Sequence, residues 1–312
     1  MSAAPWLALL SLAGASVACA QGISRADSGA FDGARAWSEL EQIVACGERP
    51  AGSQNLERLR RHITDELEAL GLEPVREAFR AVTPRGEIDF ANLFVEIPAG
   101  EPADSRRPLV VIGTHMDTKS GLSFEFVGAN DGGSGTAVLL ELVRCLSVMQ
   151  TRVVYRLVFF DGEEAVRPKW AGTDNCYGSR QHVRQLQQVG QLERVAAFIL
   201  LDMVGDKDLR LTRELNSDPE RLAIFSAAAR ALGLEQHVGA DPQEISDDHL
   251  SFLQVGVPSV DLIDFEYGPE NGWWHTQEDR LDKCSPESLS AIGRIVLAGL
   301  PRIEELALQG AP

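Results

Sequence analysis

Five residues of this chain, His115, Asp131, Glu164, Asp202 and His275, make a donor set of two imidazoles and three carboxylates. Nitrogen and oxygen donors of this kind suit zinc. Structural zinc sites usually rest on thiolates and close around the ion, whereas catalytic sites keep one position open. A set without thiolate therefore points to a catalytic metal. Glu163 stands directly beside Glu164. Adjacent residues in a turn point in different directions, so one can bind a metal while the other faces a substrate. A partly desolvated carboxylate beside a metal is placed to act as general base and acid.

Each residue also has an ordinary reading. His115 after a strand can be a satisfied structural histidine. Asn130-Asp131-Gly132-Gly133 is a turn into a helix, with Asp131 as its cap. Glu163-Glu164 is a solvated charge pair, and Trp273-Trp274 is packing. Asp117 either orients the His115 ring or caps a turn. His182 and His249 read as structural. The metal reading rests on the set as a whole and on where the elements place it.

Those elements are legible as alternating apolar runs and amphipathic stretches. Leu109–Gly113, Val153–Phe160, Val195–Leu201 and Ser259–Ile263 are short, largely apolar runs, interrupted by Arg156 in the second and by Ser259 and Asp261 in the fourth, of the kind found in strands covered on both faces. Phe90–Ile97 is a further strand. Leu56–Leu72 has helical spacing and meets Gly71. Helical patterns also run over Ser134–Leu146, Tyr177–Gln188, Pro219–Leu232 and from Pro286 to about Leu308, with Pro286 suited to a first turn. Strands alternating with helices imply an α/β fold, with a mostly parallel sheet covered by helices on both faces. In such sheets ligands bind outside the carboxyl ends of the strands. His115 and Asp117 follow the first run, Asp161, Glu163 and Glu164 the second, and Asp202 the third.

The order His115-x-Asp117, Asn130-Asp131-Gly132-Gly133-Ser134-Gly135, Asp161-Gly162-Glu163-Glu164, Leu201-Asp202 and Trp274-His275-Thr276 resembles the zinc aminopeptidase superfamily, from roughly Ala45 to the C-terminus. The resemblance implies an aminopeptidase-like fold. It assigns the main zinc to Asp131, Glu164 and His275, and a second metal, bridged by Asp131, to His115 and Asp202. Within that superfamily the chain looks more like glutaminyl-peptide cyclotransferases. The segments that carry this are Gly47-Glu48-Arg49-Pro50-Ala51-Gly52-Ser53, Glu163-Glu164-Ala165 with Trp170, Tyr177-Gly178-Ser179-Arg180-Gln181-His182, Asp247-Asp248-His249 with Phe252 and Leu253, Gly256-Val257-Pro258, and Trp274 before His275. Asp261 stands where animal cyclases carry histidine, and Trp170 lies one residue further from Glu164 than in those enzymes.

By this resemblance Glu163 shuttles the proton, Asp202 and Asp247 sit beside it, and Trp170 and Trp274 line the substrate pocket. The reaction implied is conversion of N-terminal glutamine to pyroglutamate with loss of ammonia. Substrates are then peptides or proteins with a free N-terminus. The alternative is a secreted zinc aminopeptidase, which the complete two-metal set favours. A non-catalytic peptide-binding ectodomain is a third reading, against which the retention of Glu163 argues.

The 312 residues are 44% hydrophobic, enough for a large core, and carry a net charge of −17. That charge argues against nucleic acid or an anionic membrane surface as partner. A negative field of this size suits solubility and attracts free amino termini. Residues 1–20 read as an export signal: Pro5 to Ala18 is apolar but too short to span a bilayer, and Ala18-Cys19-Ala20 is a small-residue cleavage pattern. Cys19 as a lipid-modified residue is the less favoured alternative, because Ser16-Val17-Ala18 is a poor lipoprotein signal. Residues 21–312 then form one zinc-dependent catalytic domain, periplasmic or secreted. No other stretch is long and apolar enough to span a membrane. Cys46, Cys145, Cys176 and Cys284 are not at metal-ligand spacing. Cys145 reads as buried, and the sequence specifies neither a disulfide pattern nor an oligomeric state.

Overall fold

The computed structural model describes residues 31–100, 107–170 and 172–310, so the export-signal segment lies outside the described residues. Among the described residues, seven α-helices surround a six-stranded sheet. In chain order the main elements are α1 (Gly33–Ala45), α2 (Gln54–Ala69), β1 (Val75–Thr83), β2 (Gly86–Ile97), β3 (Leu109–His115), α3 (Gly135–Val148), β4 (Val154–Phe160), α4 (Tyr177–Gln188), β5 (Val195–Asp202), β6 (Leu211–Glu214), α5 (Pro219–Leu232), β7 (Val238–Gln243), α6 (His249–Leu253), β8 (Ser259–Ile263) and α7 (Pro286–Gln309). The strand order is β1-β2-β4-β3-β5-β8, with β6 and β7 in a separate two-stranded sheet. β4, β3, β5 and β8 run parallel, while β1 and β2 add an antiparallel hairpin at one edge.

The apolar runs form strands because both faces are covered. Alternate side chains of one strand enter different cores, as the two-residue period of a strand requires. Val110 and Ile112 of β3, and Ile199 and Leu201 of β5, join the core under α1, α2, α3, α5 and α7. Leu109 and Val111, with Phe198 and Leu200, join the core under α4 and α6. Burial of each such side chain stabilises by about 1.5–3 kcal/mol.

Helix ends follow local chemistry. α2 begins before Leu56 because Ser53 Oγ accepts a hydrogen bond from the Leu56 amide at 3.1 Å. It ends before Leu72, with Gly71 at a φ of +76°, a left-handed conformation that glycine adopts without penalty. Asp32 caps α1 by accepting from the Ala34 and Arg35 amides.

The chain passes from β3 to β4 on one side, then to β5 on the other. Strand order therefore reverses beside β3, and a crevice opens at the carboxyl ends of β3 and β5. His115 is the last residue of β3 and Asp202 the last of β5. Among the described residues no helix is long and apolar enough to cross a membrane.

Candidate metal centre and active site

His115 and Asp202 reach the crevice from neighbouring parallel strands, and His115 Nε2 lies 3.1 Å from Asp202 Oδ1. Asp131 comes from the turn between β3 and α3. Its own ψ of 107° and the φ of +79° at Gly132 break helical geometry there and turn the carboxylate inward. A Cβ at Gly132 would meet the Asp117 carbonyl oxygen at 2.5 Å and His115 Cε1 at 3.0 Å, so the turn is passable only to glycine. Asp131 Oδ1 sits 3.2 Å from His115 Nε2, and Oδ2 sits 3.2 Å from His275 Nε2. The one carboxylate spans both histidines.

Glu164 follows β4 and places Oε1 2.9 Å from His275 Nε2. Asp117 holds that turn: Oδ1 accepts from the Glu163 amide at 3.1 Å and Oδ2 from the Glu164 amide at 3.4 Å. With His115 Nδ1 3.7 Å away, Asp117 anchors the turn and flanks the ring. His275 itself adopts a φ of +52°, and Met203, directly after Asp202, a φ of +48°. Such non-glycine conformations are uncommon and gather at functional sites.

Two donor triplets result. Asp131, Glu164 and His275 form one, and His115, Asp131 and Asp202 the other; within each, the ligand atoms lie within 4.8 Å of one another. The donors are imidazole nitrogens and carboxylate oxygens, the zinc-type set. Asp131 Oδ2 and His115 Nδ1 are buried without a hydrogen-bond partner, as metal-directed and ring-orienting atoms can be. The residues present therefore fit a metal. Burial works to raise the Asp131 carboxyl, but its bonds to His115 and His275 outweigh this and hold it well below the usual carboxylate range.

Glu163 belongs to neither of these triplets, with Oε2 3.8 Å from His115 Nδ1, and it lines a cavity of about 450 Å³. Asp202, Asp247, Trp170, Trp274 and His275 share its lining with Phe265. Trp274 stacks on the His275 ring at 4.1 Å between centroids, and Phe265 supports Trp274 at 5.1 Å. Burial pushes Glu163 well above the ordinary glutamate value; the charge of His115 opposes this, and Asp247, Glu164 and Asp248 reinforce it. Asp247 is raised by burial, then by the charges of Asp202 and Asp248. All the residues singled out in the sequence for metal, proton transfer and substrate contact thus converge on one cavity and its floor.

The geometry also corrects and adds. Asp161 reads in the sequence as one of the strand-end carboxylates, but the fold turns it away to pair with Arg60 and to accept from the Ala91 amide at 2.7 Å. That anchors the turn from behind. His182 is structural, packed among Phe94, Phe160 and Phe252 and 3.0 Å from Glu77 Oε2. His249 is wholly buried, with Nε2 3.4 Å from Glu214 Oε2 and Nδ1 3.7 Å from Asp261 Oδ2. Two positioning residues escape the sequence reading. Asp279 accepts from the Asn130 and Asp131 amides at 2.7 and 3.1 Å and from the Tyr267 hydroxyl at 2.9 Å. Lys119 donates to Glu164 Oε2 and to the Ala165 carbonyl, each at 3.1 Å. Cys46, Cys176 and Cys284 are free thiols, and the Cys145 thiol lies 3.8 Å from Glu141 Oε1.

The fold and the donor triplets at its strand ends define a zinc-exopeptidase-type α/β protein. Residues 92–300 match peptidase family M28, and the chain belongs to that family. A crystal structure of an Acidobacteriales bacterium glutaminyl cyclase superposes with a TM-score of 0.83 at 36% identity, over 88% of this chain and 95% of that one. A mouse glutaminyl-peptide cyclotransferase-like protein is 28% identical, over 86% of this chain and 75% of its own length. The glutaminyl-peptide cyclotransferase of Dictyostelium discoideum is 28% identical, over 80% of each chain.

Proposed function

We propose that the protein is a zinc-dependent glutaminyl-peptide cyclotransferase, converting the N-terminal glutamine of peptides or proteins to pyroglutamate with release of ammonia. The observation that carries this reading is the placement of Glu163: buried in the wall of an aromatic-lined cavity, beside the Asp131–Glu164–His275 triplet but outside it. Its support is the similarity to proteins named for that activity.

In this reading Asp131, Glu164 and His275 hold the zinc. The bound ion supplies Lewis-acid polarisation of the glutamine side-chain amide oxygen. Glu163 accepts a proton from the substrate α-amine as the amine nitrogen bonds to the amide carbon. It returns that proton to the nitrogen that leaves as ammonia, so acid and base roles alternate on one carboxylate. Asp202 and Asp247 flank Glu163, and burial together with the mutual repulsion of these groups favours their sharing protons rather than all ionising. Trp170 and Trp274 wall the cavity and keep water from the folded, near-attack conformer of the substrate. The Trp170 indole N–H is buried without a partner and is available to a substrate carbonyl.

The second reading, a zinc aminopeptidase, is favoured by one observation: His115, Asp131 and Asp202 form a complete second triplet. Hydrolysis needs an activated water, and cyclisation does not. Incubating the zinc-loaded protein with Gln-initiated and Leu-initiated peptides separates the two by product mass. Cyclisation removes one ammonia; peptidase action removes a whole residue. Fast cleavage of Leu-initiated peptides with Gln-initiated ones left unchanged overturns the cyclase reading.

The protein is further proposed to be exported, with residues 1–20 as the signal and 21–312 as a single catalytic domain. Intact mass from the native host should begin at Gln21 or, for a lipid-modified form, Cys19. A cytoplasmic form retaining Met1 refutes export.

A further inference from the structure

Behind the catalytic cavity lies a second one of about 410 Å³, lined by Cys176, Arg180, Leu250 and Ser251 and sharing Trp170, Ser246 and Asp247 with the first. Cys176 opens α4 in a left-handed conformation, φ +44°. Its amide donates to the Glu163 carbonyl at 2.8 Å, and the next amide, of Tyr177, donates to the Gly162 carbonyl at 2.8 Å. These bonds fix the thiol against the turn that carries Glu163. A non-glycine residue held in that backbone region is strained, and such strain gathers where a side chain must be aimed.

Three ligand atoms meet there. One each from Glu163, Cys176 and Asp247 lie within 4.8 Å of one another, and the residues are 5, 6 and 4% exposed. Asp247 Oδ1 accepts from the Asp248 amide at 2.5 Å, but Oδ2 is buried with no partner at all. A buried, unpartnered carboxylate oxygen is rare, because leaving it so is costly. Asp248 and Asp261 also have both side-chain oxygens buried without a hydrogen bond, and the cations beside the group are Arg180 on the cavity wall and His249, 3.7 Å from Asp261 if protonated. One sulfur and two carboxylates match zinc and heavier thiophilic divalent ions, with metal–sulfur contacts near 2.3 Å and metal–oxygen contacts near 2.1 Å. Sharing one ion requires the three side chains to rotate closer together, and the adjoining cavity of about 410 Å³ has volume for a water as fourth ligand.

We propose that Glu163, Cys176 and Asp247 form a further, inhibitory metal site, distinct from both strand-end triplets, that takes a thiophilic divalent cation from the side of the second cavity. Binding forms a metal–sulfur bond and breaks the Cys176 S–H bond, and the proton leaves to solvent. It also ties up the Glu163 carboxylate as a ligand, so Glu163 no longer carries protons. This rests on the role of Glu163 in the proposed reaction, but occupancy of the site does not.

The test is titration of the zinc-loaded protein with cadmium, following the ultraviolet cadmium–thiolate absorption and the retained zinc, with ammonia release measured in parallel. The wild type should gain the thiolate band at about one added equivalent while its zinc stays bound. Its rate should fall by roughly a hundredfold or more, the low end of general acid–base catalysis. In Cys176→Ser the band should be lost. The cadmium needed for inhibition, relative to that variant's own rate, should rise at least about tenfold. Cys176→Gly, at ease in a left-handed position, provides the same comparison if the serine variant does not fold. A thiolate band that is absent in the wild type, or that persists in both variants, overturns the site. So does inhibition unchanged by loss of the thiol. Absence of ammonia release before any cadmium is added instead counts against the cyclase reading and leaves the absorption result standing.

Discussion

Lys119 Nζ lies 3.1 Å from Glu164 Oε2, and both side chains are buried. Glu164 Oε1 faces His275 Nε2 at 2.9 Å. One carboxylate is thus shared between an ammonium and the imidazole of the proposed zinc triplet. In the proposed zinc site, Lys119 would hold Oε2 and leave Oε1 to the metal. Outer partners of this kind are typically worth ten- to a hundredfold in metal affinity. Lys119→Met, close in length but without charge, should weaken zinc binding by about that factor in a chelator competition. Zinc retention equal to wild type contradicts the positioning role.

Trp274 is both a cavity wall and the stacking partner of His275 at 4.1 Å. The resemblance suggests a substrate role and the residue type packing; the geometry gives it a place in both. Trp274→Ala should raise KM for Gln-initiated peptides and also loosen zinc, because the His275 ring loses its support. His275→Ala should remove zinc and activity together, since it leaves that triplet two carboxylates. Elemental analysis distinguishes the cases, and full zinc content in His275→Ala overturns the ligand assignment.

The strand-end residues are legible because chemistry and periodicity coincide. An apolar run ending in His115 or Asp202 announces both a strand and what its carboxyl end presents. The Asp131 turn is legible through the glycines that its geometry demands. Lys119 and Asp279 are not legible, since a lone lysine or aspartate a few residues from a ligand carries no signal until the fold brings it to Glu164 or to the Asp131 amide. β1 goes unread because its side chains are largely exposed or half-buried at the sheet edge, so no apolar run marks it. β7 goes unread because Val238–Gln243 contains both Asp241 and Pro242. Asp161 stands at the same strand end as Glu163 and Glu164 but pairs with Arg60, a difference that position alone does not reveal.

Arg49 belongs to a segment whose likeness to cyclases is visible in sequence, but its purpose emerges only in three dimensions. Its guanidinium is wholly buried and donates to the carbonyls of Gly47, Met116, Val127 and Gly128. It ties the N-terminal segment to the strand-end loop and to the entry of the Asp131 turn. Arg49→Met should leave these acceptors unmet, at about 1–3 kcal/mol for each that water cannot reach. Thermal or denaturant unfolding should show a loss of at least roughly that size, and a variant as stable as wild type refutes the account.

Glu214 predicts an acid limb in stability. It is buried and accepts from the amides of Asn216, Ser217 and Ile245. Burial works to raise its carboxyl, but the His249 bond and these amides outweigh it and lower it from the ordinary 4.5 to about 2. Because the folded value is depressed, the stabilisation is present above about 4.5 and is lost as pH falls toward about 2. Each tenfold change in acidity across that window corresponds to roughly 1.4 kcal/mol. Glu214→Gln should be less stable than wild type at neutral pH, with the gap closing as both are acidified through this window. A gap that stays constant with pH rules out the charge as its source.

Glu163 and Glu164 are adjacent in sequence yet should respond oppositely to the same substitution. Glu164 Oε1 points at His275, whereas Glu163 points into the cavity, with Oε2 3.8 Å from His115 Nδ1. Glutamine keeps the size of either side chain but can neither accept nor return a proton, and it is a poor partner for a metal. Glu163→Gln should therefore keep its zinc and lose about two to four orders of magnitude in the rate of ammonia release, the usual worth of a general acid–base group. Glu164→Gln should lose zinc first, and activity as a consequence. Added zinc should restore part of the activity of Glu164→Gln and none of that of Glu163→Gln. Near-full activity in Glu163→Gln removes the proton carrier whichever reaction the enzyme runs. Zinc loss in Glu163→Gln instead moves that residue into the metal's own ligand set.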